Sequence, residues 1–503
     1  MNKTKFATHF FSDLNVDRQV EEKLSNLLNR TVVGDKTILR TPFMNEKSPE
    51  EILKTFDEWF EPQSKNLTKE LLDLEKSNRS KFGPRSIQKS WDERKDLVYD
   101  YFKIDRYNSN LAQVKPDVTG RLRPYTHTNA VKLLKNNTSA GLPFMKKKGL
   151  VKDQVLNSIN ELLKRNDPCV MFTRTQEGGK TRAVWGFPIA DTLEEMTYYK
   201  PLLEYQRALP WRAAIRTPED VDEALTKLIN KAEATGLLLV SLDFSAYDAS
   251  VTPHLQEYAF NYIKDLFQKS ESSRLDRIAE RFATIGLLTP DGVLSGPHGV
   301  PSGSTFTNEV DSLVQWIIAA NNPDLVDLDT IQIQGDDQAS LSKDPEKLFE
   351  AFENNGLQVN REKSYVSKKH VVYLQNLYSA DYRGDDGIIR GIYPLYRALG
   401  RLVFMERFND FSEYDIEGKH FFAIRALSIL ENTRNHPMFE EFVKFVAGHD
   451  KYGLKLTGKS INEYVKFIKD SAGNQEIMKY RYGDEITGIK GFRSYQVLEQ
   501  SEL

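Results

Sequence analysis

Chemistry in this chain starts from acidic residues placed where they are costly. Ile331, Gln332, Ile333 and Gln334 alternate apolar and polar, Gly335-Asp336-Asp337 interrupts, and the alternation resumes through Ala339, Ser340 and Leu341. Period-2 runs on both sides of a Gly-Asp step predict a β-hairpin, with Gly335 supplying the positive φ of the turn. Two adjacent carboxylates repel, and a hard divalent cation such as Mg²⁺, which uses one or two protein carboxylates per ion, relieves the repulsion. A second acid stands at the end of a buried run. The run 237–242 reads as an interior strand and delivers Asp243, followed by Phe244 and Asp248. A carboxylate leaving a buried strand is expensive without a ligand or partner.

The tripeptide alone decides nothing, because the chain repeats it as Gly384-Asp385-Asp386. That copy follows Arg383, precedes Gly387 and has no apolar strand leading into it. It reads as an exposed hairpin tip.

Two loops and one hairpin offer contacts for a phosphorylated ligand. The 299–308 loop, with Ser302, Gly303, Thr307 and Asn308, opens a helix, and a loop at a helix N-terminus attracts anions and sugar hydroxyls. Thr138, Ser139 and Gly141 lie in a Gly/Pro-broken loop with backbone N–H groups and two hydroxyls to offer. The 172–185 stretch reads as a hairpin turning at Gly178-Gly179, with Lys180 and Arg182 two apart on one face and Arg174 joining from the partner strand. Three mutually repelling cations suit a polyanion such as a triphosphate.

The elements that must hold these residues are legible as periodicity. Short amphipathic helices are expected over 50–59 and 69–74, and one helix over 153–164. Thr217, Pro218 and Gly236 bracket a helix over 217–235. Leu255, Tyr258, Ala259, Tyr262, Ile263 and Leu266 mark another, and Val310, Leu313, Val314, Ile317 and Ile318 a third. Asp344-Pro345 starts a helix that Gly356 ends, 371–374 is a strand, and 394–450 is mainly helical. Helix, strand, helix, loop-helix, hairpin, helix, strand builds an antiparallel sheet backed by helices. In that fold Asp243 and Asp336 end neighbouring strands.

At 503 residues the chain is long enough for several subdomains. Its net charge of −3 excludes a generic basic nucleic-acid coat, so any polyanion site is local. The basic residues concentrate at Lys146, Lys147, Lys148, Lys152, Lys164, Arg165, Arg174, Lys180 and Arg182, and again at Arg361, Lys363, Lys368 and Lys369. No apolar run suggests a membrane span, and no signal peptide is expected. The one cysteine, Cys169, excludes an internal disulfide, fits a reducing compartment and reads as a buried thiol.

The ordered set resembles the viral RNA-dependent RNA polymerases, most of all those of double-stranded RNA viruses of the picobirnavirus type, with the partitivirus type second. Thr138-Ser139-Ala140-Gly141 is similar to the fingers loop on the template path, Lys180-Thr181-Arg182 to the basic fingertip and Asp243 with Asp248 to the first palm motif. Ser302-Gly303 with Thr307 is similar to the nucleotide-selecting loop, Gly335-Asp336-Asp337 to the catalytic hairpin, and Arg361-Glu362-Lys363-Ser364 to the motif with a mobile lysine. The matches span about half the chain.

The resemblance implies an α+β right-hand polymerase: N-terminal extension and fingers over 1–130, fingers over 131–235, palm over 236–380 and thumb over 381–503. It implies two Mg²⁺ ions, with Mn²⁺ able to substitute, held by Asp243, Asp336 and Asp337 with help from the Phe244 carbonyl. Lys180, Arg182 and Arg174 would hold the triphosphate, and Lys363 would protonate pyrophosphate. Asp248 with Ser302, Gly303 and Thr307 or Asn308 would sense the ribose 2′-OH. Template RNA, nascent RNA and NTPs are the implied partners, with a viral capsid protein as a further one. The virion interior and host cytoplasm are the implied locations.

One position departs from the family pattern. Asp311 stands where many members carry Asn. The expectation is that Asn308 contacts the ribose or Asp248 and that Asp311 braces its helix through a separate partner. Two other readings stay open: a reverse transcriptase-like polymerase, which typically carries an aromatic residue where Gln334 stands, and a non-catalytic RNA-packaging protein.

Overall fold

Five consecutive residues, Leu238–Leu242, form the strand around which the first part of the fold is built. Strands are numbered in chain order: β1 Cys169–Thr175, β2 Thr181–Gly186, β3 Leu238–Leu242, β4 Leu287–Thr289, β5 Gly292–Leu294, β6 Gln332–Gln334, β7 Asp337–Ser342 and β8 Tyr365–Ser367. The coordinates are a computed structural model and describe residues 8–104, 109–408, 410–472 and 488–501. Strands β6, β7, β3 and β8 make a four-stranded sheet in that order, with β3 antiparallel to both of its neighbours. Leu238 faces Ser342 and Leu242 faces Gln338. One step further along this register sets Asp243 opposite Asp337.

The sheet is backed by helices whose apolar stripes the sequence displays. Val240 and Leu242 of β3 and Ile333 of β6 join one core with Phe260 and Ile263 of the Pro253–Leu266 helix. Val310, Leu313 and Val314 of the Thr307–Ala320 helix and Leu348 and Phe352 of the Pro345–Glu353 helix complete it. Each such side chain, fully buried, contributes about 1.5–3 kcal/mol of transfer free energy. The Pro218–Thr235 helix has the expected termini: Thr217 and Asp220 form a reciprocal capping box, and Gly236 closes it at φ 73.

Two local readings need correction. The expected 153–164 helix is two short helices, Lys152–Asn157 and Ile159–Lys164, because Ser158 leaves the helical region at φ −127. Asn and Ser are weak helix formers, and their apolar neighbours keep both halves packed. The Ile189–Gln206 helix is not foreseen in the periodicity, since it is buried on several faces, by Leu193, Glu195, Thr197, Tyr198 and Leu202 among others. A four-stranded sheet in the order β2-β1-β4-β5 joins the basic hairpin to a small β4–β5 hairpin, with β1 parallel to β4.

Chain contacts divide the protein into two units. The first holds residues 1–34, 90–173 and 183–374; the second holds 35–89, 174–182 and 375–503. Within the second, the aromatic ring of Phe56 on the Pro49–Gln63 helix packs on Tyr396, Phe442 and Phe445. Glu75, on the Lys69–Arg79 helix, accepts the Leu395 and Tyr396 amide hydrogens at 2.7 and 3.1 Å and pairs with buried His436 at 3.1 Å. These bonds satisfy the N-terminal donors of the Leu395–Val403 helix. Among the described residues no helix is long and apolar enough to cross a membrane.

Candidate active site

Asp336 occupies the exposed tip of the β6–β7 hairpin, and Asp337 opens β7 half-buried beside it. The turn is tight because Gln334 pairs with Asp337 across Gly335 and Asp336, and Gly335 takes φ 62. Its backbone is held from the Thr307–Ala320 helix. Ser312 Oγ accepts the Gly335 N–H at 2.8 Å, and Gln315 Nε2 donates to the Gly335 carbonyl at 2.6 Å. Ser312 and Gln315 are fully buried and were not singled out in the sequence. No local signal set them apart, because the helix face they share also carries Asn308 and Asp311.

Asp243 leaves β3 with its main chain fixed by the turn that follows it in space. Its N–H donates to Ser364 Oγ at 3.1 Å, and its carbonyl accepts the Asn360 N–H at 2.8 Å. Lys363 lies on that same turn with its side chain exposed. Phe244 bridges to Val359, and the Ser245 N–H reaches the Gln358 carbonyl at 2.8 Å. Burial pushes the Asp337 carboxyl up to about 7, and the charges of Asp336 and Asp243 push it the same way. Asp337, with Asp336 and Asp243 close enough to act on it, offers hard carboxylate oxygens that fit Mg²⁺ or Mn²⁺. Among the described residues no three acidic, histidine or cysteine side chains close around one point. Asp336 is exposed at the turn, where an ion could take further oxygens from substrate phosphates and water.

Next to this cluster sits a second acidic pair. Asp248 lies on the short Tyr247–Ser250 helix, with its carboxyl beside that of Asp311, one turn into the Thr307–Ala320 helix. Burial, then the Asp248 and Asp336 charges, hold Asp311 well above the ordinary carboxylate range. Tyr247 Oη donates to the Asp311 carbonyl at 2.8 Å. The expectation of a separate brace for Asp311 is thus corrected: its partner is Asp248. Asn308 turns elsewhere. Its Oδ1 accepts from Arg212 Nη2 at 3.1 Å, and its Nδ2 stands near Gly335. Arg212 is fully buried and also pairs with buried Glu309 at 3.0 Å.

The 299–308 loop is pinned at its start. Val300 N–H donates to the Asp248 carbonyl at 2.7 Å, and Ser302 Oγ to the Ala183 carbonyl at 3.2 Å. A Cβ on Gly303 would lie 1.6 Å from the Trp185 carbonyl oxygen, so only glycine fits. Thr307 Oγ1 donates within its own loop, to Pro301 and Ser304 carbonyls at 2.9 and 3.0 Å. Its hydroxyl braces the loop.

The other predicted residues are distributed as follows. Thr138 to Gly141 pack on the entrance to the Ile189–Gln206 helix: Ile189 N–H donates to the Ala140 carbonyl at 2.8 Å, and a Cβ on Gly141 would lie 2.5 Å from the Phe187 carbonyl oxygen. Ser139 Oγ accepts the Gly141 N–H at 3.1 Å. Arg174, Lys180 and Arg182 are exposed on the tip of the β1–β2 hairpin, which belongs to the second unit. Lys180 ends the turn rather than opening β2, and its carbonyl accepts the Gln176 N–H at 2.9 Å. Arg174 approaches Glu406 at 3.9 Å, while Arg85 and Arg397 hold Glu177 in the turn. Of the wider basic stretch, Lys152 and Arg165 are bound to their own surroundings: Lys152 to the Leu134 carbonyl, Arg165 to Asp167 and the Leu14 carbonyl. Arg361 is taken by Glu346 and Glu353. The second Gly-Asp-Asp sits on an exposed hairpin tip, where Arg390 pairs with Asp386 and draws its carboxyl down to about 2.

An antiparallel sheet with acids at adjacent strand ends, a helix-borne loop beside them and a basic hairpin define a right-hand nucleic-acid polymerase. The profile of the viral RNA-dependent RNA polymerase family matches residues 85–390. The chain is 31% identical over 462 residues to a potential RNA-dependent RNA polymerase of Human picobirnavirus, covering 85% of each chain. It is 26% identical over 210 residues to the RNA-directed RNA polymerase of Cryptosporidium parvum virus 1, covering 38% of this chain and 39% of that one. Crystal structures of the RNA-dependent RNA polymerase of a human picobirnavirus, one of them an insertion-loop deletion mutant, superpose with TM-score 0.80 at 27% identity. They cover 99% of this chain and 100% of theirs. The chain belongs to the viral RNA-dependent RNA polymerases, and it is an RNA-directed RNA polymerase.

Proposed function

We propose that this polymerase replicates and transcribes a viral RNA genome by nucleotidyl transfer with two divalent metal ions. The observation that carries the proposal is the register that pairs Leu242 with Gln338, so that Asp243 leaves β3 at the end of the sheet where Asp337 opens β7 and Asp336 occupies the adjoining turn. Asp243 and Asp336 are the principal ligands, Asp337 a secondary one, and the Phe244 carbonyl assists. Bound there, two Mg²⁺ ions would stabilise the charge on the attacking and leaving oxygens. The bond formed joins the RNA 3′-oxygen to the α-phosphorus of the incoming NTP. The bond broken is that to the bridging oxygen of pyrophosphate, which leaves.

The remaining residues bind and orient. Arg174, Lys180 and Arg182 neutralise the triphosphate. Lys363 gives its proton to pyrophosphate as a general acid. Its backbone turn is tied to Asp243 through Asn360 and Ser364, which supports that role. Asp248, Ser302 and the helix start after Thr307 sense the 2′-OH that separates NTP from dNTP. Thr138, Ser139 and Gly141 line the template path. In this reading 131–235 are fingers, 236–380 palm and 381–503 thumb, with 1–130 an extension joined to the fingers. The enzyme works in the virion interior beside a capsid protein and in the host cytoplasm.

An extension assay with RNA template, labelled NTPs and Mg²⁺, run with and without primer, tests the activity. Asp336→Asn must abolish template-directed product. Product with dNTPs alone on the same template would favour a reverse transcriptase, and no product under either condition a packaging role. Recovery of the chain in purified particles tests the location.

A further inference from the structure

The nucleotide-selecting loop is anchored by a residue that belongs to none of the polymerase motifs described above. Ser304 Oγ donates to Glu195 Oε1 at 2.7 Å, and Thr305 N–H donates to Glu195 Oε2 at 2.8 Å. One carboxylate thus grips two consecutive residues of the loop between Gly303 and Thr307. Glu195 comes from the middle of the Ile189–Gln206 helix and is 3% exposed. Ser304 is also buried, and its oxygen accepts the Phe306 N–H at 3.0 Å. The chain Glu195, Ser304, Phe306 therefore sets the path of the loop immediately before the helix that carries Asn308 and Asp311.

A carboxylate buried this deeply is a costly way to pin a loop, and an apolar side chain would pack at lower cost. What it supplies is direction. Two acceptor oxygens on one rigid group fix two donors relative to each other and to the Ile189–Gln206 helix. On the far side the loop has no freedom either, since Gly303 lies against the Trp185 carbonyl. The titratable groups whose charges couple electrostatically with Glu195 are Asp191 on its own helix, Lys148 after the template loop and the buried Cys169 thiol. Burial outweighs the two hydrogen bonds and raises the Glu195 carboxyl to about 7.

We propose that Glu195 is a positioning residue for sugar selection: by holding Ser304 and Thr305 it keeps Ser302 and the start of the Thr307–Ala320 helix in register with the ribose of the incoming nucleotide. The proposal rests on the reading of this loop as the nucleotide-selecting one. The role of Glu195 is indirect, since both of its oxygens are taken by the loop.

The test is single-nucleotide incorporation by the full-length enzyme, with matched NTP and dNTP over a concentration series, for wild type, Glu195→Ala, Glu195→Gln and Ser302→Ala. Thermal melting of each variant accompanies it. Glu195→Ala removes two hydrogen bonds, and at about 1 kcal/mol each the NTP-over-dNTP preference falls roughly 5- to 30-fold. The change lies mainly in the apparent KM for NTP. Glu195→Gln stays within about twofold of wild type, because its amide carbonyl accepts the Thr305 N–H and its NH₂ donates to Ser304 Oγ. Loss of preference in Ser302→Ala but not in Glu195→Ala overturns the role of Glu195 and leaves the loop reading intact. Loss in Glu195→Ala but not in Ser302→Ala keeps Glu195 as the anchor and overturns Ser302 as the sugar contact. No loss in either overturns both. Equal loss in the Ala and Gln variants, with matching falls in melting temperature and in kcat, reduces Glu195 to a fold-stabilising residue and overturns the proposal.

Discussion

The Asp248 and Asp311 carboxyls stand beside each other, from two different helices, next to the Gly335–Asp337 turn. Two carboxyls so placed repel when both are ionised, and burial pushes Asp311 toward its protonated form. A neutral Asp311 can therefore do what an asparagine does at this position: donate to Asp248 and leave Asp248 oriented. The departure from the family pattern is one of residue type, and the slot keeps a donor.

The first prediction follows from that equivalence. Asp311→Asn retains a donor of nearly the same shape, so NTP-over-dNTP preference stays within about threefold. Asp311→Ala takes away the group beside Asp248 and the donor the slot supplies. A lost buried polar contact of this kind costs about 1–3 kcal/mol, so the preference falls roughly 5- to 150-fold. Asn308→Ala has the smaller effect, since the Asn308 carbonyl oxygen is engaged by Arg212. Competitive incorporation of NTP and dNTP by the three variants ranks them, and a larger loss in Asn308→Ala than in Asp311→Ala refutes the assignment.

Asp336→Asn removes one charge from the proposed metal site while keeping the turn, which is held by Ser312 and Gln315 through backbone atoms. A loss of about 4 kcal/mol in the transition state slows synthesis roughly 10³-fold. Asp386→Asn, in the other Gly-Asp-Asp, breaks an exposed pair with Arg390 and changes activity less than twofold. Single-turnover extension rates at saturating Mg²⁺ distinguish the two hairpins.

How far these roles could be read from the sequence depended on where each partner sits in the chain. Gly335, Asp336 and Asp337 were legible because turn chemistry and strand alternation are local properties, and Thr217 with Gly236 marked a helix for the same reason. Glu195, Arg212, Ser312 and Gln315 were not legible. Each lies on an element whose neighbours are distant in sequence, and a buried polar residue has no local signature that separates it from a surface one. The Ile189–Gln206 helix went unread because it is buried on several faces and shows no single stripe. Gly303 reads in the sequence as part of a loop that opens a helix, whereas its constraint is the Trp185 backbone on a strand more than a hundred positions earlier.

Gly303→Ala is expected to be far more damaging than a typical loop substitution. The added carbon would meet the carbonyl oxygen of Trp185, a fully buried residue of β2 that has no room to withdraw. Backbone overlap of this size costs more than about 3 kcal/mol, the upper end of ordinary overpacking. The expected result is a marked fall in melting temperature together with loss of activity. Gly292→Ala serves as the contrasting control: its φ of 108 strains any L residue, yet its Cβ meets nothing within 4 Å. It should cost less and leave extension intact.

Breaking the buried Arg212–Glu309 pair tests stability and selection separately. Arg212→Leu leaves the Glu309 charge buried without its cation, a loss of about 3–5 kcal/mol. Arg212→Leu with Glu309→Leu removes both charges, and much of that loss returns, because an apolar pair of similar volume is often as stable as a buried ion pair. Neither variant restores the donor to Asn308 Oδ1. Urea denaturation should therefore show recovery in the double variant, while any change in NTP-over-dNTP preference persists in it. Recovery of both together would mean that Arg212 acts on selection only through stability.

The last prediction concerns pH. Glu195 rises from an ordinary 4.5 to about 7 in the folded protein, so the folded state holds its proton across a window in which the unfolded chain has lost it. The stabilisation from that proton is fully present below about pH 4.5 and is lost as pH rises through about 7. At about 1.4 kcal/mol per pKa unit the change across the window is of the order of 3 kcal/mol. Other acids titrate in the same range, Asp337 among them, so the absolute curve is not diagnostic. The difference between wild type and Glu195→Gln is. Glutamine cannot ionise, and its stability curve should be flatter than that of the wild type by this amount between pH 4.5 and 7 and parallel to it above 8. Urea unfolding at closely spaced pH values measures the gap. Parallel curves over the whole range would mean that Glu195 titrates alike in the folded and unfolded chains, and that its burial is not what holds the proton.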